Sequence, residues 1–121
     1  MSTRWISIAV ALLVSFGAGL FADENTAVLS RAELARQSGC FECHRVSRKL
    51  VGPPWQDVAA RYTKDEKARE KLIEVVSKGG KGNWTRVTRG VPMPPHSPRL
   101  SDEQISHLVD WILTLSPAKK R

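Results

Sequence analysis

A chain of 121 residues holds one domain of ordinary size and not two. A charged fraction of 26% beside 41% hydrophobic residues excludes a disordered chain and a protein of many membrane spans. With 19 Lys and Arg against 12 Asp and Glu the chain is basic, which favours nucleic acid, anionic surfaces or acidic proteins as partners.

Trp5 to Ala22 is an apolar run preceded by Arg4 and followed by Asp23-Glu24, the layout of a secretory leader. The expected cut falls near Ala22, although Leu20, three places before it, is larger than the usual small residue. Residues 1–22 are therefore read as a signal peptide, or as an uncleaved anchor, since the run lies at the lower edge of what spans a bilayer. Residues 23–121 are read as the functional domain, exported to the periplasm. Losing Arg4 leaves that domain basic. Export sets nucleic acid aside and leaves an acidic protein or a membrane surface.

Three capping boxes mark helix starts: Ser30…Glu33, Thr63…Glu66 and Ser101…Gln104. The first predicts a short helix to about Ser38, stopped by Gly39. Between Pro54 and Tyr62, the positions of Trp55, Val58, Ala59 and Tyr62 suggest another short helix with Pro54 in its first turn. The second box opens Lys64 to Lys78, with Ala68, Leu72, Val75 and Val76 on one face and Gly79-Gly80 at the end. Gly79 to Arg99 carries four glycines and four prolines, so it reads as a long irregular segment of the kind that wraps a ligand. The third box opens Asp102 to Leu115, with Ile105, Leu108, Val109 and Ile112 at helical spacing and Pro117 beyond. No stretch alternates as a strand would, so the fold class is all-α.

Both cysteines of the chain fall in Cys40-Phe41-Glu42-Cys43-His44, the pattern of covalent c-type haem attachment. Two thiols at this spacing reach the two vinyl groups on one porphyrin edge, and His44 follows as an iron ligand. Cys40 and His44, four apart on a helical turn, point to one side. A thiol-disulfide site is the first alternative, but it expects a strand-to-helix context. Half a zinc site is the second, but it lacks a further ligand pair.

Met93 is the only methionine after Met1 and lies in Val91-Pro92-Met93-Pro94-Pro95, where prolines restrict the backbone to extended forms. Its thioether is the candidate second ligand, against the plain reading of a core-filling methionine. His96 is the rival, and a bis-histidine site would have a lower potential. His107 reads as a solvent-facing boundary residue without a role.

These residues resemble the small bacterial class I cytochromes c, through Cys40 to His44, Val51-Gly52-Pro53-Pro54, Gly79-Gly80-Lys81-Gly82-Asn83-Trp84, Pro92-Met93-Pro94-Pro95 and Trp111-Ile112-Leu113. The resemblance covers nearly all of residues 27–115. It implies four to five helices wrapped around one covalently bound haem c, with crossed N- and C-terminal helices. His44 would be the proximal and Met93 the distal ligand. The Pro53 carbonyl would accept the other imidazole N–H, and Trp84 would donate to a haem propionate. Thr85 to Gly90 is longer than the family pattern, which leaves Trp84 open to the reading of a loop aromatic covering the haem edge. Trp55 reads as core packing.

A closed iron points to electron transfer and not catalysis. The expected function is a monomeric single-electron carrier of an exported chain. Two other readings remain: a haem subunit of an exported oxidoreductase complex, and a haem enzyme or sensor with an open site. Arg45, Arg48 and Lys49, with Arg86, Arg89 and Arg99, would ring the haem crevice. They would steer acidic redox partners, or simply be a solvated basic surface.

Overall fold

The computed structural model describes residues 24–115, with side chains from Ser30 onward. The leader, its cut and Pro117 fall outside these residues. Five helices follow in chain order: α1 (Glu24–Gln37), α2 (Trp55–Tyr62), α3 (Ala68–Lys78), α4 (Thr85–Thr88) and α5 (Asp102–Thr114). A single 3-10 turn, Cys40–Glu42, stands between α1 and α2. Among the described residues no strand forms, and one isolated bridge joins Gly80 to Met93. No described helix is long and apolar enough to cross a membrane.

The three capping boxes meet three different fates. At Ser101 the box forms in full: Gln104 N donates to the Ser101 hydroxyl at 3.1 Å and Ser101 N donates to the Gln104 side chain at 3.0 Å. Ser101 is extended, so its hydroxyl is free to turn onto the helix end. At Thr63 the expected start is wrong. Its hydroxyl bonds to the carbonyls of Ala59 and Ala60, both at 3.0 Å, and closes α2. Asp65 instead shapes the turn before the helix, its side chain accepting from Lys67 N at 3.0 Å, and α3 begins at Ala68 without a side-chain cap. At Ser30 the helix is already running, because Glu24 to Leu29 holds no Gly or Pro to delay it. Glu33 there accepts from Arg36 Nε and Gln37 Nε2, both at 2.8 Å, instead of reaching back. Those bonds, Arg36 first, hold its carboxyl down at about 2.

Helix α5 is the centre of the molecule and packs against α1, α2 and α3. Ile105 and Val109 are fully enclosed, as the helical spacing predicts, and Leu108, Trp111 and Ile112 complete the buried face. Ala35 of α1 is buried in the same cluster, where a small side chain lets the terminal helices approach closely. Arg69 of α3 clasps Asp110 of α5 through two bonds of 2.7 and 3.2 Å. The apolar face of α3 is divided: Ala68 and Leu72 are buried, whereas Val75 and Val76 are half-buried on a cleft wall.

Candidate cofactor site

The cleft has a volume of about 440 Å³ and lies between the Cys40–His44 turn and the 79–99 segment. Gly39, at φ 77°, ends α1 and turns the chain into the motif. His44 N donates to Cys40 O at 3.0 Å, an α-type turn that brings the first thiol and the imidazole to one side, as expected from their spacing. Cys40 and Cys43 are half-buried and not bonded to each other. Burial pushes the Cys40 thiol up from its ordinary pKa.

Three neighbours fix the His44 ring. Its Nδ1 donates to the Pro53 carbonyl at 2.9 Å, which leaves Nε2 with a free lone pair. Trp55 stacks on it, with centroids 5.5 Å apart and planes 15° apart. Gly52 lies so close that a Cβ there would sit 2.5 Å from Cε1. Burial holds the imidazole below its usual range, opposed by the Pro53 bond, so the ring is neutral at pH 7. Trp55 in turn meets Phe41 and Trp111 edge-on, at 4.9 and 5.2 Å. The residue read as core packing is thus also the link from the core of α5 to the imidazole.

The segment after Pro53 is fastened in the same way. Trp55 N and Gln56 N donate to the carbonyls of Arg45 and Val46, both at 3.0 Å. These bonds satisfy the first donors of α2, so Pro54 stands just before the helix and not in its first turn.

Met93 lines the same cleft. Gly80 and Met93 exchange backbone hydrogen bonds of 2.8 and 2.9 Å, and His96 N and Ser97 N donate to Val76 and Ser77 at 3.1 and 3.2 Å. The proline-rich loop is therefore stapled to the last turn of α3. Gly79 makes the staple possible, because a Cβ there would lie 2.4 Å from the Met93 carbonyl. The extra residues Thr85 to Gly90 wind into α4 and a left-handed turn at Arg89, φ 54°. Trp84 lines the cleft just before that helix, with the Arg61 guanidinium 4.9 Å above its ring.

His96 is buried, lines the cleft and accepts at Nδ1 from Arg99 at 2.8 Å. His107 is exposed, as expected. Of the basic residues, Arg48, Lys49, Arg86 and Arg89 are exposed, but Arg45 is half-buried and bonds to the carbonyls of Phe41 and His44. Arg45 therefore braces the motif and is not a free surface cation.

The close approaches of Gly52 and Gly79 and the Trp55 stack were not legible beforehand. Their signal was a glycine next to each segment that carries a candidate ligand, which can mark a tight backbone approach.

The donor set suits a haem: two thiols, a neutral imidazole and a thioether line one cleft together with apolar Val75 and Val76. A family model described as cytochrome c matches residues 31–116. The chain is 37% identical over 117 residues to cytochrome c-552 of Nitrosomonas europaea, covering 95% of this chain and 99% of that protein. It is 45% identical over 82 residues to cytochrome c-551 of Allochromatium vinosum, 68% of this chain and 82% of that one. The crystal structure of wild-type Nitrosomonas europaea cytochrome c552 superposes with a TM-score of 0.62 at 39% identity, covering 70% of this chain and 99% of that one. With the all-helical fold and the paired cysteines, these matches place the chain in the cytochrome c family, as a small class I monohaem electron carrier with one covalent haem c.

Proposed function

We propose that the chain carries single electrons in the periplasm, with the haem held by Cys40 and Cys43 and its iron bound between His44 and Met93. The observation that carries this reading is that one cleft is lined both by an imidazole fixed by Pro53, Trp55 and Gly52 and by a methionine loop stapled to α3. A bound haem supplies a metal that changes oxidation state by one electron. The chain supplies a setting that stays the same in both states. With His44 and Met93 both bound, the iron would have no position left for a substrate, so carrying electrons fits this site better than an open enzyme or sensor does.

Pro53 orients the proximal imidazole and raises its basicity, as second-sphere acceptors do. Trp84 offers its indole N–H to a propionate from the cleft edge. The leader read at residues 1–22 supports export.

Val51 and Val91 line the cleft and are 40% and 49% exposed, beside the exposed cations Arg48, Lys49, Arg86 and Arg89. Exposed apolar residues at the cleft, with exposed cations on the same chain segments, suit transient docking of an acidic redox protein. Electron transfer to such a partner should slow as salt rises, and a rate independent of ionic strength would reject the docking face.

The ligand pair is tested by the optical spectrum of the oxidised holoprotein. A sulfur-to-iron charge-transfer band should be present in the parent and absent from Met93→Ala. Its absence from the parent would reject Met93 as ligand.

A further inference from the structure

His96 lies in the cleft three residues after Met93, is 5% exposed, and has no task in the proposed function. Its backbone is tied on both sides: N donates to Val76 O at 3.1 Å, and O accepts from Leu100 N at 2.8 Å. A second imidazole is thus held permanently inside a metal-binding cleft. Burial, the Arg99 charge and His44 all keep this ring below the usual imidazole range, so it is neutral.

Arg99 decides what the ring can do. A guanidinium has donors only, so the 2.8 Å contact from Arg99 Nη2 makes Nδ1 the acceptor and puts the ring proton on Nε2. Neither nitrogen then offers a lone pair to a metal: one is engaged and the other is protonated. Arg99 stands at the cleft itself, close enough to Cys40 for its charge to oppose in part the upward push of burial on that thiol.

We propose that Arg99 guards the sixth position of the iron, holding His96 as a hydrogen-bond acceptor so that this imidazole does not displace Met93. The proposal rests on the His44 and Met93 reading above. Binding through Nδ1 requires the ring to leave Arg99. Binding through Nε2 requires its proton to move to Nδ1, where an N–H would then face the guanidinium. Either route gives up a hydrogen bond to a charged donor. Because Arg99 is solvent-exposed, that bond biases the ligand choice at the low end of the range for charged donors, about tenfold. The consequence is functional, since a histidine in place of the methionine would lower the potential.

The test uses the holoprotein with the sixth position opened by Met93→Ala, compared with Met93→Ala/Arg99→Met. Spectra of both oxidised forms are recorded while imidazole is added. The single variant should show an open site that takes the added imidazole. In the double variant the ratio of the low-spin, His96-bound form to the open form should be about tenfold higher without any addition, and added imidazole should bind more weakly to the extent that His96 already occupies the site. Adding His96→Asn to the double variant should reopen the site. Arg99 is exposed, so its loss leaves the core intact, and Arg99→Ala should give the same result as Arg99→Met. The guard is overturned if the double variant stays as open as the single one, or if Met93→Ala alone already binds His96 to the same extent. A parent without the sulfur-to-iron band overturns the ligand reading and the guard together; a parent with the band and a double variant as open as the single one overturns the guard alone.

Discussion

Gly52→Ala tests how the His44 ring is held. The residue has no positive φ, so the added methyl meets a steric problem and no backbone one. It would sit 2.5, 2.8 and 3.0 Å from Cε1, Nδ1 and Nε2 of His44, where ordinary contact begins at 3.4 Å. Relief needs the ring to retreat by nearly an ångström towards Trp55, or the Gly52 backbone to lift away and loosen its 2.7 Å bond to Cys43 O. Overpacking of this kind costs about 1–3 kcal/mol. Stretching the Pro53 bond adds about 1 kcal/mol, and the stiffer unfolded chain returns about 0.4–1 kcal/mol. The net expectation is a loss of about 2 kcal/mol in urea unfolding of the holoprotein, with shifted proton resonances of His44. Gly82→Ala is the control: its φ is 53° with nothing within 4 Å, so it should cost about 1–2 kcal/mol of backbone strain and leave His44 unmoved. An unchanged midpoint together with unchanged His44 resonances in Gly52→Ala would refute the account of a sterically pinned ring.

Ser101→Ala removes one arm of the capping box on the helix that packs against α1, α2 and α3, and should cost about 1 kcal/mol, or roughly 4–8 °C in melting temperature. A melting curve that does not move would mean that the box contributes nothing in context. Arg69 holds the Asp110 carboxyl below its ordinary value of 3.8, so the pair adds stability above that pH and loses it as pH falls through the depressed pKa. Asp110 is partly exposed, so Asp110→Asn should cost only about 0.5 kcal/mol at pH 7, and the gap should close in acid. A gap that stays constant down to pH 2 would show that the pair has no electrostatic role.

Helical spacing and local chemistry were readable in advance wherever the deciding contacts are close in sequence. The buried face of α5 follows from the positions of Ile105, Leu108, Val109 and Ile112, and its start from a box whose two partners are three residues apart. The same local pattern failed at Ser30 and Thr63 because a capping hydroxyl works only where the chain arrives unwound and the hydroxyl is free. Neither condition holds in the middle of α1 or at the end of α2. Arg45 was misjudged for a related reason, since a charge next to the motif looks like surface until the carbonyls of Phe41 and His44 are seen to face it.

By itself the sequence determined which candidate donor groups the cleft would hold. The two thiols, His44 and the lone methionine between prolines are residue types at spacings that few other tasks need. Tertiary structure alone decided how those groups are held. Gly52 against His44, Trp55 between that ring and Trp111, Gly79 under the Met93 carbonyl and Arg99 on His96 each depend on where the chain folds back. The physical reason is that an ångström of approach is set by the packing of α5 against its neighbours, which no local pattern encodes. The candidate donors were legible because donor atoms come with residue type, whereas their rigidity was not, because it comes from contact.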